Sequence, residues 1–277
     1  MTNILSRLKT NLTELYSEMN EGDIETSSGL FVQTVELRNE LARENGFANY
    51  LEMQIQRNGV PDKDWSSYLT HKPKIEVHIS QSDPKSYPHF LKQLESVDIE
   101  FPNGVYALFV NKISPELIGR IGLVVEGEKA MYNYSPETDK YKITIPNSSH
   151  NQKIAMLIHE LSHVVDSEEN GKVTKNRYQG EKSAIKSEFF LTRSISDDFF
   201  DANLREYLAC FVRTEFEEMI YLNPSMATPE NFSTIYGNYY GNSGDQNIYL
   251  YLFDRKIIDK PFVDLSATVA IANLLTE

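Results

Sequence analysis

The sequence predicts an α+β fold, with a helical lobe first, a small mixed sheet next and then further helices, one of which carries two histidines. Three observations support this order. Apolar residues recur at helical spacing in the first 58 residues, alternate with polar ones after Pro73, and return to helical spacing from Lys153 onward. We expect an N-terminal helical lobe over residues 1–70 and a second domain, which carries the two histidines, over residues 71–277.

The first part of the chain predicts three amphipathic helices. Apolar residues from Ile4 to Met19 recur every three or four positions and predict the first helix. The same spacing continues over residues 30–58, where Gly46 and Gly59 fit the C-terminal caps of two more helices. These residues are predicted to pack as an ordinary helical core.

Alternation of apolar and polar residues predicts the sheet in the middle third. A hairpin is expected around Pro136 to Asp139, and an extended peptide could pair with an edge strand near residues 141–145. The predicted strands are Ile75 with Val77 and Ile79, then residues 105–110, 121–125, 131–134 and 141–145.

Helical periodicity covers residues 153–165 and 204–222. Residues 223–244 are rich in Asn, Gly, Tyr and Ser and are predicted as a loop. The helix over 153–165 is apolar nearly all round, which predicts that it is buried. We expect the residues that carry any chemistry to lie on these later helices.

Composition excludes several classes of protein. Twenty-seven basic residues against 40 acidic ones give a formal charge of -13, which disfavours nucleic acid as a partner. The single cysteine, Cys210, cannot form an internal disulfide. No signal peptide or membrane-spanning segment is predicted, so we expect no membrane insertion and a cytoplasmic protein, or else one exported by a leaderless route into a host cell. We also expect a monomer.

The segment KIAMLIHELSHVVD carries the strongest functional signal. His159, Glu160 and His163 form an H-E-x-x-H pattern, and residues four apart on a helix present both imidazoles to one point. Buried polar groups need partners, so two histidines and a glutamate on a buried helix favour a bound metal. The pattern predicts a Zn²⁺ site with His159 and His163 as ligands.

Such a site predicts peptide hydrolysis. Zinc with three protein ligands keeps a position for water and lowers the pKa of that water to about 7. Glu160 is then placed to act as the general base and to pass the proton to the departing amine. A further donor for the developing oxyanion is expected, and the candidates are Tyr178 and Tyr239, with Tyr236 and Tyr240 in the same cluster as Tyr239.

The third metal ligand has no local code in the sequence. A third histidine after His163 is absent, so a carboxylate is expected. Glu206, beside small residues on a predicted helix, is the first candidate, Glu188 is its main rival and Asp245 is a weaker one. Asp166, one turn after His163, could orient a histidine ring.

The segment HELSHVVD, followed by NLREYLACF, resembles the catalytic segment of the anthrax lethal factor and Pro-Pro endopeptidase group of gluzincins. The resemblance implies a zincin-like fold, with His159, His163 and Glu206 as zinc ligands and Glu160 as the base. It also implies a secreted effector or toxin protease as one interpretation. Ser162 stands where that group has glycine, and Phe199 stands where it has tyrosine.

A second stretch, RNELARENGFANYLEMQ, is similar to a helical segment of the oligopeptidase F and thimet oligopeptidase families. In those families the ligand glutamate lies near the spacing of Glu188. The resemblance implies a helical lobe facing a zincin-type cleft.

Together these observations predict a zinc-dependent metallopeptidase that hydrolyses a peptide or protein substrate. The alternative is a catalytically inert zinc-binding module for protein interaction, in which all four zinc ligands come from the protein.

Overall fold

The computed structural model describes residues 2–72, 87–109, 113–126, 129–172, 176–241 and 250–276. The elements in chain order are α1 (Thr2–Glu21), α2 (Ile24–Glu44), α3 (Tyr50–Asn58), α4 (Asp62–His71), α5 (Phe90–Gln93), α6 (Asn103–Leu108), α7 (Pro115–Ile118), β1 (Ile121–Val125), β2 (Met131–Ser135), β3 (Lys140–Ile145), α8 (His150–Glu169), α9 (Arg177–Ile195), α10 (Asp197–Glu206), α11 (Leu208–Leu222), a 3₁₀ turn (Pro224–Met226), α12 (Pro229–Tyr240), α13 (Leu250–Phe253), α14 (Arg255–Asp259) and α15 (Leu265–Leu274). Among the described residues, no helix is both long and apolar enough to cross a membrane.

The chain divides into two compact units. The first, which we call the helical unit, contains residues 1–88 and 208–277, and the second, the sheet unit, contains residues 89–207. The C-terminal helices thus pack with the N-terminal ones, whereas the sequence led us to assign residues 71–277 to one domain. The reason is that α15 packs on α4 and α11 packs on α3.

The helical unit contains the three N-terminal helices that the sequence predicts. The helix α2 ends before Gly46, and α3 is capped by Gly59, whose φ of 69° is the left-handed conformation that glycine adopts most easily. A buried ion cluster adds to this core. Arg213 on α11 pairs with Asp254 and Asp264 at 3.3 and 2.6 Å.

Residues 229–240 form a helix where a loop was predicted. Thr228 caps its start by accepting a hydrogen bond from the Asn231 N–H, and Pro229 occupies its first turn. Phe232, Ile235, Tyr236, Tyr239 and Tyr240 are buried on this helix. The Asn and Gly residues between them suggested a turn, but burial of the aromatic rings at helical spacing outweighs those weak propensities.

The described residues of the sheet unit form a mixed sheet of three strands in the order β1-β3-β2. The strands β1 and β3 are parallel with Ile121 opposite Tyr141, and β2 and β3 are antiparallel with Tyr132 opposite Ile143. The predicted strand at 121–125 and the predicted hairpin are therefore confirmed. Ile75, Val77 and Ile79 lie outside the described residues.

One predicted strand and one predicted position in the sheet are wrong. Residues 103–108 form α6, because Val105 and Phe109 are buried four positions apart, which is helical spacing. The second error concerns residues 141–145, which we expected near a sheet edge. They belong to β3, the central strand, whose two sides are occupied by β1 and β2.

The core of the sheet unit lies between β3 and α8. Tyr141, Ile143 and Ile145 alternate along β3 with more exposed residues and face the apolar side of α8. Helix α9 also packs along α8, and α10 packs against α9. The predicted continuous helix over 204–222 is interrupted at Tyr207, where α10 ends and α11 begins.

Candidate metal centre

Helix α8 positions the H-E-x-x-H residues. It begins with a capping box, in which the Ser149 side chain accepts a hydrogen bond from the Gln152 N–H and the Gln152 side chain accepts one from the Ser149 N–H. Its apolar residues are buried against β3 and α9, which confirms the predicted burial. Because the helix is fixed at its start and along its length, the histidine side chains project from a rigid support.

Three side chains from α8 and α9 converge on one point. The Nε2 atoms of His159 and His163 lie 3.2 Å apart, and Glu181 Oε2 lies 3.6 Å from the first and 3.9 Å from the second. One donor atom from each residue fits within a 4.8 Å span. The side chains are 19%, 12% and 23% exposed, respectively, so the cluster is partly covered but still reachable from solvent.

The electrostatics of the cluster suit a cation. Burial alone would lower the pKa of His159, but hydrogen bonds with Glu181 and Glu188 raise it well above its usual value. Burial and the neighbouring His159 lower the pKa of His163 to about 4. A positive charge at the position of His159 is thus favoured by the two carboxylates, while His163 presents a neutral imidazole.

Glu160 lies beside this cluster on the same helix. Its side chain is buried, with 6% of the residue exposed, and it accepts a hydrogen bond from the backbone of Tyr132 on β2. Burial raises the pKa of Glu160 to about 7. Tyr132 also stacks on the His163 ring, with centroids 5.1 Å apart and planes at 15°.

Glu188 contacts the other side of His159. Its Oε2 lies 2.7 Å from His159 Nδ1, whereas Glu181 faces Nε2 of the same ring. Glu188 is 2% exposed and therefore almost fully enclosed by protein. The two ring nitrogens point in different directions, so Glu188 lies where a residue that orients the imidazole would lie.

Glu206, the predicted third ligand, is not brought to the histidines. Its Oε1 accepts a hydrogen bond of 2.8 Å from the Leu91 N–H, and its Oε2 lies 3.5 Å from His89 Nδ1. Glu206 is the last residue of α10, and from there its side chain reaches the start of α5. In place of Glu206 the structure groups Glu181, which the sequence reasoning missed, with His159 and His163.

The remaining predicted site residues take other positions. Tyr178 is buried on α9 with 2% exposure, so it offers almost no surface to a substrate. Tyr239 belongs to the helical unit, where its hydroxyl donates to Glu215 at 2.7 Å. Asp166 accepts hydrogen bonds from Ser183 and Asn170. Asp245 lies outside the described residues.

The residues present fit a zinc ion. Two imidazole nitrogens and one carboxylate oxygen are the donor set of catalytic zinc sites of the His₂Glu type. His159, His163 and Glu181 provide these atoms within one small volume, and Glu188 contacts the other ring nitrogen of His159.

Comparison with solved structures places the fold among peptidases. A protein assigned as oligoendopeptidase F is similar over 91% of this chain and 55% of its own, with a TM-score of 0.57 and 17% identity. PZ peptidase A, determined with an inhibitor, matches 98% of this chain and 58% of its own, with a TM-score of 0.56 and 14% identity. An assigned oligoendopeptidase F from Bacillus anthracis matches 92% and 53%, with a TM-score of 0.54 and 16% identity.

No protein-family model and no curated protein matches the sequence. The chain spans a little over half the length of the solved peptidases that it resembles. These structures support the local resemblance to oligopeptidase F and correct the resemblance to the lethal factor group. The chain has the fold found in these peptidases.

Proposed function

We propose that this chain is a zinc-dependent metallopeptidase that hydrolyses peptide bonds. The observation that carries the proposal is the convergence of His159, His163 and Glu181 beside the buried carboxylate of Glu160. The likeness of the fold to oligoendopeptidases supports it, because the metal cluster and the fold point independently to the same class of reaction.

His159 and His163 would hold the metal through Nε2, and Glu181 through Oε2. Zinc bound there would supply Lewis acidity and a water whose pKa is near 7. Glu160, next to the first ligand, would accept the proton of that water and then deliver it to the amine of the departing product. Because Glu160 is buried, its carboxylate is surrounded by protein beside the metal cluster and does not extend into solvent.

The strand β2 is the better candidate for binding the substrate backbone. Among the described strands it lies at an edge of the sheet, with β3 on one side, and its residue Tyr132 contacts both Glu160 and His163. An extended peptide that pairs with the outer edge of β2 would bring its carbonyl groups past the metal cluster. This replaces the expectation that residues 141–145 would bind substrate.

The names of the similar structures support one class of substrate. Two of them are assigned as oligoendopeptidases and the third is a PZ peptidase, so we favour short peptides as substrates over folded proteins. Zinc dependence and the monomeric state are parts of this proposal that come from the sequence.

Cleavage of a peptide library by the Glu160→Gln variant tests the proposal. We expect the variant to lose hydrolysis by about a hundredfold or more, since general acid-base catalysis contributes 10²–10⁴-fold. It should keep about one zinc per chain, because Glu160 is not among the grouped ligands. The matched control is Glu169→Gln, an exposed glutamate at the end of the same helix, which should cleave normally. Undiminished cleavage by Glu160→Gln would refute the mechanism.

A further inference from the structure

Glu188 is a buried carboxylate whose two oxygens are both held. Its Oε2 lies 2.7 Å from His159 Nδ1, and its Oε1 accepts a 2.6 Å hydrogen bond from Asn203 Nδ2. A third donor, the hydroxyl of Tyr207, lies 2.7 Å from Oε2. A carboxylate fixed at both oxygens cannot rotate without breaking at least one of these bonds.

Asn203 and Tyr207 come from α10 and the residue that follows it. They are four positions apart, which places them on one face of the helix, and that face is turned to α9, on which Glu188 lies. Asn203 is 3% exposed, so its amide has given up water for this contact. The Tyr207 hydroxyl also comes within 3.5 Å of His159 Nδ1.

We propose that Asn203 and Tyr207 are positioning residues of the metal centre, which act through Glu188 on His159. This inference rests on the proposed function, because it concerns the same zinc site. Asn203 anchors the far oxygen of Glu188, and Tyr207 anchors the near one. The near oxygen then accepts the Nδ1–H of His159, which fixes the ring so that Nε2 faces Glu181 and the metal.

The physical consequence is a preorganised ligand. An imidazole without a partner at Nδ1 can turn about its Cβ–Cγ bond and present Nδ1 or a carbon atom to the metal. Holding Nδ1 removes those orientations before the metal binds, and the carboxylate also increases the basicity of Nε2. The break at Tyr207, where the sequence predicted one continuous helix, places that hydroxyl at Glu188.

Zinc affinity of the full chain tests the inference. Tyr207→Phe removes only the hydroxyl, and we expect it to weaken zinc binding about tenfold to a hundredfold, the range typical of such outer-shell partners. Asn203→Ser replaces the amide donor with a hydroxyl on a shorter side chain and should also weaken zinc binding. Tyr134→Phe is the matched control, because it removes a hydroxyl that donates to Asp139 near the surface of the same unit.

A spectroscopic measurement separates positioning from general stability. In zinc-loaded wild-type protein, the Nδ1–H proton of His159 should resonate far downfield and exchange slowly with water. In Tyr207→Phe and Asn203→Ser it should shift upfield and exchange faster, while Tyr134→Phe should match the wild type.

The outcomes distinguish this inference from the proposed function. The wild type could bind zinc while Tyr207→Phe and Asn203→Ser keep the wild-type zinc affinity and the wild-type His159 resonance. That result would overturn the positioning role and leave the metallopeptidase proposal standing. Absence of zinc binding by the wild type would overturn both. Weaker binding with a displaced resonance supports the inference.

Discussion

Glu181 and Glu188 lie seven residues apart on helix α9 and contact opposite ring nitrogens of His159, Glu181 near Nε2 and Glu188 at Nδ1. Two helical turns separate them, so both project from the same face of α9 toward α8. One helix thereby offers a candidate metal ligand and, in our proposal, the residue that orients another candidate ligand. The two glutamates should consequently respond differently to substitution.

We predict that Glu181→Ala loses zinc almost completely, because a direct ligand disappears. Glu188→Ala should retain zinc with affinity lower by about tenfold to a hundredfold, as expected for an outer-shell partner. Equilibrium competition with a chromophoric chelator measures both affinities.

Glu206→Ala is the control for this series. It removes the acceptor of the Leu91 N–H and should cost roughly 1 kcal/mol in the free energy of unfolding, with little effect on zinc affinity. If Glu206→Ala released the metal while Glu181→Ala kept it, the assignment of the third ligand would be reversed.

Asn151 is predicted to be essential for the stability of the sheet unit. Its Nδ2 lies 3.2, 3.0 and 3.1 Å from the carbonyl oxygens of Leu91, Leu94 and Glu95, and its Oδ1 accepts from the Val97 N–H at 3.1 Å. Asn151→Ala leaves these backbone groups without that partner, so we expect a loss of about 2–4 kcal/mol in the free energy of unfolding. Denaturant titration followed by circular dichroism measures it.

The matched control is Asn103→Ala, an exposed asparagine that donates to Glu100 in the same unit. Its effect should stay within about 0.5 kcal/mol. Equal stability of the Asn151 and Asn103 variants would show that the buried amide contributes nothing.

Cys210 should resist thiol reagents in the native protein. The thiol is buried, and burial raises its pKa to about 11. A raised pKa means less thiolate at any given pH, and at pH 8 the difference from the ordinary value alone slows reaction about a hundredfold. Absorbance with a disulfide reagent at pH 8 should show slow native labelling and rapid labelling of one thiol per chain in guanidinium. Rapid native labelling would contradict the buried position.

The local features of the site could be predicted from the sequence, whereas its long-range features could not. His159, Glu160 and His163 are brought together by a single helical turn, so their spacing alone specifies their geometry. Glu181 becomes a candidate ligand only because α9 packs along α8, and no local pattern encodes that packing. The available signal was the spacing of Glu181 and Glu188, which places two acidic side chains on one helical face.

The fold shows the same division. The hairpin and the first three helices follow from local periodicity and glycine caps, and they were predicted. The helix over 229–240 was missed because it depends on burial of tyrosines whose local propensity is weak. The interpretation as an effector came from the lethal factor resemblance, and the likeness to oligoendopeptidases gives it no support.

Anomalous diffraction at the zinc edge from crystals of the zinc-loaded protein tests the central claim most directly. We predict one zinc bound by His159 Nε2, His163 Nε2 and a Glu181 carboxylate oxygen, with a remaining position open to solvent. A zinc bound instead by Glu206, or enclosed by four protein ligands without an open position, would contradict the account.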